Sequence, residues 1–130
     1  MIIGIGTDVV QIKRIEKIFK NYGDAFKRKI LAKKELEKFD SLPSFKKINF
    51  LSKRFAAKEA ICKAFGTGIS AKLALKDISI LNDKLGKPYV EIDEEKIKII
   101  TNYNNVMIHL SISDDYPVAI AFSVISIGAK

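Results

Sequence analysis

Glu59 and Lys63 are two charged residues whose spacing could hold a metal ion or a phosphate group. They stand four positions apart, so on a helix they lie one above the other on the same face. A carboxylate can bind a hard cation through oxygen, and a lysine can bind phosphate as a point charge. Solvated surface pairs have the same spacing and contribute little to stability. The spacing alone therefore leaves both interpretations open.

The segment around this pair is predicted to be a helix with a small, apolar buried stripe. Its apolar residues follow the i, i+3, i+4, i+7 pattern of one helix face. The stripe consists of Ala57, Ala60, Ile61 and Ala64. Cys62, the only cysteine, is interpreted as a small buried thiol rather than a nucleophile. Gly66, Thr67 and Gly68 should end the helix and could offer backbone N–H groups to a phosphate.

A second acidic residue, Asp8, stands near the end of a predicted N-terminal strand. The strand, Met1 to Val10, is rich in β-branched residues, and Gly4 and Gly6 allow close backbone approach. Asp8 precedes a predicted amphipathic helix, so it could cap that helix. It could also be a metal ligand held on a rigid strand. No basic segment precedes the short apolar run, so a signal peptide is not expected.

Two motifs together resemble those of the holo-acyl-carrier-protein synthases, the small bacterial type of 4′-phosphopantetheinyl transferase. The first is Gly4 to Val10 followed by Arg14-Ile15, and the second combines Arg54 to Ala60 with Lys63 to Gly68. They stand about 50 residues apart. The chain length and the order of the other elements also match, so the resemblance covers essentially the whole chain.

The resemblance implies transfer of 4′-phosphopantetheine from coenzyme A to a serine of apo acyl carrier protein, as part of fatty acid biosynthesis. Adenosine 3′,5′-bisphosphate leaves. The resemblance also implies Mg²⁺ bound by Asp8 and Glu59, with Lys63 beside the phosphates as a third catalytic residue. The general base stays open, with Glu59 acting through a metal-bound water as the first candidate. Further implied cofactor-binding residues are Arg54, Lys58, Gly66, Thr67 and Gly68. The family is typically a homotrimer with cofactor sites between subunits.

Positive charge is concentrated in the first half of the chain. Residues 1–65 hold 16 Lys and Arg against 7 Asp and Glu, whereas residues 66–130 hold 7 against 8. The basic half should therefore face an acidic partner. Nucleic acid, anionic lipid, a polyphosphate cofactor and an acidic protein all satisfy this charge. By the resemblance, the acidic carrier protein should bind the exposed basic side of the first helix, at Lys13, Arg14, Lys17 and Lys20.

A different class of function is also open, namely a basic α+β module that binds nucleic acid without catalysis. Phosphate contacts by the basic half would support it. No known nucleic-acid-binding motif and no exposed aromatic pair for stacking stands out. A catalytically inactive relative is a third possibility, although Asp8, Glu59 and Lys63 are all retained. We therefore expect an enzyme, with no nucleic acid as partner.

The order of predicted elements indicates an α+β fold in which three N-terminal helices pack on a largely antiparallel sheet. The helices span about Gln11–Tyr22, Asp24–Phe39 and Ile48–Phe65, and the first buries Ile12, Ile15, Phe19 and Tyr22. A hairpin (78–81 and 89–92), a short helix (94–103) and two strands (106–113 and 118–127) follow. We expect one domain, residues 1–130. No apolar run approaches the roughly 18 residues of a membrane span, so a cytoplasmic protein is expected.

His109 is interpreted as a structural histidine on a strand, because it lies in the alternating segment Ile108 to Ser113. Members of the resembled family often carry another histidine directly after this segment. Here Asp114 stands at that place. A contribution of such a histidine to cofactor binding is therefore not expected in this chain.

Overall fold

The computed structural model describes residues 1–66 and 72–128. The chain begins with strand β1 (Ile2–Gln11) and continues through four helices: α1 (Ile12–Tyr22), α2 (Asp24–Ile30), α3 (Lys33–Ser41) and α4 (Ser44–Phe65). A short 3₁₀ helix (Leu75–Asp77) leads into strands β2 (Ser79–Asn82) and β3 (Pro88–Glu91). Helix α5 (Glu94–Thr101) and strands β4 (Val106–Asp115) and β5 (Val118–Ile127) complete the fold.

The strands form two antiparallel sheets. Strand β5 lies in the centre of a three-stranded sheet between β1 and β4, and β2 pairs with β3 as a hairpin. Helix α4 packs across the inner face of the larger sheet, with its predicted stripe fully or almost fully buried. The predicted α+β class with antiparallel pairing is therefore confirmed. Among residues 1–66 and 72–128, no helix has both the length and the apolar character needed to cross a membrane.

The single helix predicted over Asp24–Phe39 is wrong, because the chain forms two helices there. Leu31 and Ala32 are extended between α2 and α3. The Ile30 carbonyl accepts a hydrogen bond from Lys58 Nζ at 2.6 Å, and the Ala32 N–H donates to the Glu35 carboxylate at 2.9 Å. These bonds satisfy the backbone groups exposed by the break. Four helices, rather than three, therefore precede the hairpin.

Two other details of the helices differ from expectation. Helix α4 begins at Ser44, directly after Pro43, four residues before the predicted start. The residue before a proline disfavours the helical conformation, so Leu42 stays extended and the helix starts after Pro43. Tyr22, predicted to be buried at the end of α1, is 68% exposed. The chain turns at Gly23, where φ is +51°, so the last position of the apolar stripe has no neighbouring element over it.

The contact between β1 and α4 is unusually close because glycine faces the helix. A Cβ atom at Gly6 would lie 2.0 Å from the Ala60 carbonyl oxygen, and one at Gly4 would lie 1.8 Å from that of Ala64. No side chain fits at such distances. The strand backbone therefore rests directly on the helix backbone, with only small residues between them. This contact fixes the distance between Asp8, two residues further along the strand, and the exposed side of α4.

Gly6→Ala should destabilise the protein, because its methyl group would overlap backbone atoms that cannot rotate away. We expect a loss of about 3 kcal/mol or more, at or above the upper end of typical overpacking costs. Urea denaturation followed by circular dichroism measures it. The matched control is Gly128→Ala, whose Cβ would lie no closer than 3.5 Å to a neighbour. Equal stability of the two variants would show that the β1–α4 contact can relax.

Candidate active site

Asp8 lies within β1 and not at the start of a helix. Alternate residues of β1 face α4, including Gly6, Asp8 and Val10, while Ile5 and Val9 point to the opposite side, about 60% exposed. The residue at the N-terminus of α1 is Gln11, and its side chain makes no capping hydrogen bond. The helix-cap interpretation of Asp8 is therefore wrong. Its side chain is only 16% exposed and faces the helix that carries Glu59 and Lys63.

Lys63 reaches across from α4 to β1. Its ammonium lies 3.2 Å from Asp8 Oδ1 and donates to the Thr7 carbonyl at 3.0 Å. The side chain is 55% exposed, so it contacts the strand from the solvent side. The structure therefore brings Asp8, Glu59 and Lys63 together at one edge of the β1–α4 contact, and Lys63 pairs with Asp8 across this contact.

The pKa of Glu59 is raised above its ordinary value, mainly because the side chain is partly buried. The negative charge of Asp8 raises it further, whereas the positive charges of Lys63 and Arg14 lower it. Because these two carboxylates repel each other, a cation bound between them would be stabilised. Arg14 belongs to this electrostatic environment although it lies on α1.

The donor set suits a small hard cation that keeps water and phosphate as ligands. Asp8 and Glu59 supply carboxylate oxygens, and the Thr7 carbonyl oxygen is already within reach of a cationic group. Across residues 1–66 and 72–128, no group of three or more His, Cys, Asp or Glu side chains could enclose a metal. Mg²⁺ is commonly bound by one or two carboxylates together with substrate phosphates. The residues present therefore fit Mg²⁺ held jointly by protein and substrate.

Lys58 and Arg54, expected as further phosphate ligands, point into the protein instead. Lys58 is fully buried, and its ammonium contacts the Glu35 carboxylate as well as the Ile30 carbonyl. Arg54 Nε lies 3.1 Å from Glu35, and the guanidinium also donates to Asn82 at 3.1 Å. Their placement argues against contact with a cofactor. Both side chains leave α4 on the side opposite Lys63. The sequence motif alone does not show this direction.

This buried cluster links α4 to α3 and β2 through the Glu35 carboxylate, and to α2 through the Ile30 carbonyl. Glu35, on α3, also accepts a hydrogen bond from the Ile80 N–H of β2 at 3.3 Å. Burial is the main cause that lowers the pKa of Lys58 to about 8; the charge of Glu35 opposes this shift, and the charge of Arg54 adds to it. Removing one partner of such a buried group is usually far more destabilising than replacing the whole group by apolar residues. Glu35, which sequence reasoning did not single out, is the only anion in the cluster.

Gly66 ends α4 in a left-handed conformation, with φ of +78°. Its N–H bonds to the carbonyls of Cys62 and Lys63, so it is not a free donor for a phosphate. Thr67 and Gly68, the other residues predicted at this helix end, lie outside the described residues.

Cys62 is buried and its pKa is raised to about 11, mainly by burial. The thiol therefore stays protonated, in agreement with a structural role.

A groove beside Glu59 was not found by sequence reasoning. It has a volume of about 740 Å³ and lies between α1, α2, α4 and the 3₁₀ helix. Its lining is mostly apolar, and Glu59 is one of the lining residues. Residues that line it include Ile18, Tyr22, Phe26, Phe55 and Leu75.

The predicted basic residues of α1 are all exposed: Lys13, Arg14, Lys17 and Lys20. Helix α1 therefore presents both charge and an apolar groove near the acidic pair.

His109 and Asp114 lie on β4, and each has a structural contact. His109 Nε2 is 3.0 Å from Ser126 Oγ on the outer side of the sheet. Asp114 accepts a hydrogen bond from Asn49 at 3.0 Å, and its other oxygen is 3.9 Å from the Lys53 ammonium. Both partners of Asp114 belong to α4. The carboxylate at this position therefore connects the end of β4 to the first half of α4.

Comparisons with known proteins point in one direction. The family model described as "4'-phosphopantetheinyl transferase superfamily" matches residues 4–121. A curated relative from Orientia tsutsugamushi, a holo-[acyl-carrier-protein] synthase, is 48% identical over 128 residues, which cover 97% of this chain and 98% of the relative.

Solved structures agree in fold over nearly the whole chain. The holo-[acyl-carrier-protein] synthase of Neisseria meningitidis is 40% identical, with a TM-score of 0.87 and coverage of 97% of this chain and 99% of that one. The Helicobacter pylori enzyme, solved in complex with coenzyme A, is 33% identical, with a TM-score of 0.82 and coverage of 94% and 99%.

Glu59→Gln should stabilise the protein when no metal is added, because the folded state holds the carboxylate with a raised pKa. Above the pKa of Glu59 in the folded state, the wild type is destabilised by the full cost of ionising this partly buried carboxyl group. As the pH falls below that value, the folded protein binds a proton, and the difference from the variant shrinks until it vanishes below the pKa of Glu59 in the unfolded chain.

Melting temperatures between pH 4 and 8, in chelator, measure this effect. Glu37→Gln, at an exposed position of α3, is the matched control and should melt like the wild type. A Glu59→Gln variant that melts lower than the wild type at pH 7 would contradict the assigned electrostatics.

Proposed function

Because the chain belongs to the 4′-phosphopantetheinyl transferase superfamily, we propose that it acts as a holo-acyl-carrier-protein synthase at the site formed by Asp8, Glu59 and Lys63. It transfers 4′-phosphopantetheine from coenzyme A to a serine hydroxyl of apo acyl carrier protein. The serine oxygen forms a bond to phosphorus, and adenosine 3′,5′-bisphosphate leaves. The observation that carries this assignment is the meeting of β1 and α4, which joins the two motifs at one place. The alternative of a nucleic-acid-binding module has no comparable support.

Asp8 and Glu59 are the proposed ligands of Mg²⁺. Two partly buried carboxylates whose charges repel each other favour a cation, and they leave its remaining positions to water and to the diphosphate of coenzyme A. When bound, Mg²⁺ neutralises charge on the diphosphate and on the leaving phosphate. Glu59, acting through a bound water, stays the first candidate for the general base.

Lys63 is the proposed phosphate ligand among the basic residues of α4. Its ammonium is exposed and already lies at the acidic pair, within 3.2 Å of Asp8. A diphosphate bound to a cation at this position would lie close to that ammonium. Lysine is a common phosphate ligand in phosphoryl transfer, where it neutralises charge on the oxygens. Lys58 and Arg54 cannot contribute from their buried positions without breaking the Glu35 cluster.

The carrier protein is proposed to bind along α1. Acyl carrier proteins are acidic, and α1 presents Lys13, Arg14, Lys17 and Lys20 to solvent. Complementary charge mainly accelerates encounter and fixes orientation. The apolar groove beside Glu59 lies at the same surface, so an apolar side chain of the carrier could bind there while its serine approaches the site.

A homotrimer is the proposed assembly, and the outer face of the three-stranded sheet supports it. Strands β1 and β5 expose Ile5, Val9, Ile120 and Phe122 side by side, each 41–63% accessible. Contiguous apolar surface of this kind usually marks an interface. A subunit packed on this face would also shield β1 from solvent. The cytoplasm stays the expected location.

Asp8→Asn and Glu59→Gln should each slow transfer by about 100-fold or more. This is the typical loss of rate when one electrostatic contact to a charged transition state is removed. Each change removes a negative oxygen and keeps the shape. The assay measures the mass added to apo carrier protein with coenzyme A and Mg²⁺. Chelator should stop the wild type, and Mg²⁺ should restore it. Near-normal turnover by either variant, with Glu37→Gln as control, would refute the ligand assignment.

The double variant Lys13→Glu, Lys17→Glu should raise the KM for carrier protein roughly tenfold and flatten its salt dependence. The KM for coenzyme A should stay nearly constant. This pair spares Arg14, whose charge acts on Glu59. The matched control, Lys84→Glu with Lys87→Glu at the β2–β3 turn, changes the net charge equally. Equal losses for both substrates, or the same loss in the control, would mean that α1 does not bind the carrier specifically.

Phe122→Glu should dissociate the trimer, because it places a charge in the centre of the apolar sheet face. Light scattering should report a trimer for the wild type and a smaller species for the variant. Ile99→Glu is the matched control: Ile99 is 67% exposed on α5, away from this face. A wild-type monomer with full activity would rule out the proposed assembly.

A further inference from the structure

Lys63 places a positive charge against one of the two proposed metal ligands. Its ammonium lies 3.2 Å from Asp8 Oδ1 and 3.0 Å from the Thr7 carbonyl oxygen. Both oxygens are of the kind that coordinate Mg²⁺. The ammonium thus makes, with the strand, contacts that a divalent cation could make in its place.

The lysine and a cation at Asp8 would repel each other strongly. An ammonium and a divalent ion on one carboxylate would be only a few ångströms apart, where like charges interact appreciably even near a surface. The Asp8 side chain is 16% exposed, so water screens this repulsion only partly. Lys63 is 55% exposed, and its long side chain can therefore move outward at little cost.

We infer that Lys63 is an internal counter-ion for the metal site. Its ammonium competes with the metal for Asp8 until a bound diphosphate draws the ammonium away. This inference rests on the proposed function. The bound diphosphate offers the ammonium new oxygens, and movement of Lys63 towards them leaves Asp8 available to the cation. One side chain therefore serves two sites: it restrains metal binding to the free protein and stabilises the phosphate in the loaded one.

Competition of this kind couples the two ligands. The apparent metal affinity is the intrinsic affinity multiplied by the fraction of molecules in which Lys63 leaves Asp8 free. Coenzyme A raises this fraction, so it should tighten metal binding, and the metal should tighten coenzyme A binding by the same factor. Metal and phosphate also attract each other directly. The contribution of Lys63 is the part of the coupling that disappears when its charge is removed.

The experiment is a titration of Mn²⁺ against the full-length protein, with free Mn²⁺ measured by electron paramagnetic resonance. It is done with and without coenzyme A and without carrier protein, so that no transfer occurs. The variants are Lys63→Met, Lys63→Arg and Asp8→Asn. Lys46→Met, at an exposed position near the start of α4, removes the same charge elsewhere and is the matched control.

Without coenzyme A, Lys63→Met should bind Mn²⁺ at least about fivefold more tightly than the wild type, at the lower end of typical coupling between sites. Lys46→Met and Lys63→Arg should bind it like the wild type. Coenzyme A should tighten Mn²⁺ binding to the wild type by a larger factor than to Lys63→Met. Equal or weaker Mn²⁺ binding by Lys63→Met, or an equal gain in Lys46→Met, would overturn the inference.

The Asp8→Asn variant separates this inference from the proposed function. If Asp8→Asn loses Mn²⁺ affinity but Lys63→Met gains none, the metal site is correct and the counter-ion role of Lys63 is wrong. If Asp8→Asn binds Mn²⁺ like the wild type, with and without coenzyme A, the metal site itself is misassigned and the inference is overturned with it.

Discussion

Direct contact between the backbones of β1 and α4 is the constraint on which the rest of the site depends. Gly4 and Gly6 meet the carbonyls of Ala64 and Ala60 at distances that exclude any side chain. Because alternate residues of β1 face α4, the same side of the strand presents Asp8 two residues later. The acidic pair therefore results from packing between rigid elements, and its geometry does not depend on a loop. Rigid support of this kind is what a metal and phosphate site requires.

The far side of α4 is fixed by charge. Lys58 and Arg54 are one turn apart and share the Glu35 carboxylate, which also bonds to the backbone of α3 and β2. The helix is thus held on one side by glycine contacts and on the other by buried ion pairs. Glu59 directly follows Lys58, so the buried cluster also fixes the rotation of α4 that points Glu59 outward. The lowered pKa of Lys58 reflects the cost of burying this arrangement.

Local patterns in the sequence predict the strand and the long helix, whereas only the resemblance to the family places Asp8, Glu59 and Lys63 in one site. Glycine alternation and the alanine stripe are local signals, and both are confirmed by the close packing. The break at Leu31-Ala32 could not be predicted, because it depends on Lys58 and Glu35, which bond there only in the folded chain. The same holds for Lys58: the family resemblance implies a phosphate ligand, yet its side chain leaves α4 on the buried side. The roles of Asp8, Glu59 and Lys63 in catalysis stay predictions.

The most direct test is a crystal structure of the protein with coenzyme A and Mn²⁺, in which anomalous scattering locates the ion. The account predicts one strong peak at about 2 Å from carboxylate oxygens of both Asp8 and Glu59, with the diphosphate on its open side. Lys63 should lie against the phosphate, further than 3.2 Å from Asp8 Oδ1. A peak that lies away from either carboxylate, or a diphosphate bound elsewhere with no ion between these residues, would contradict the account.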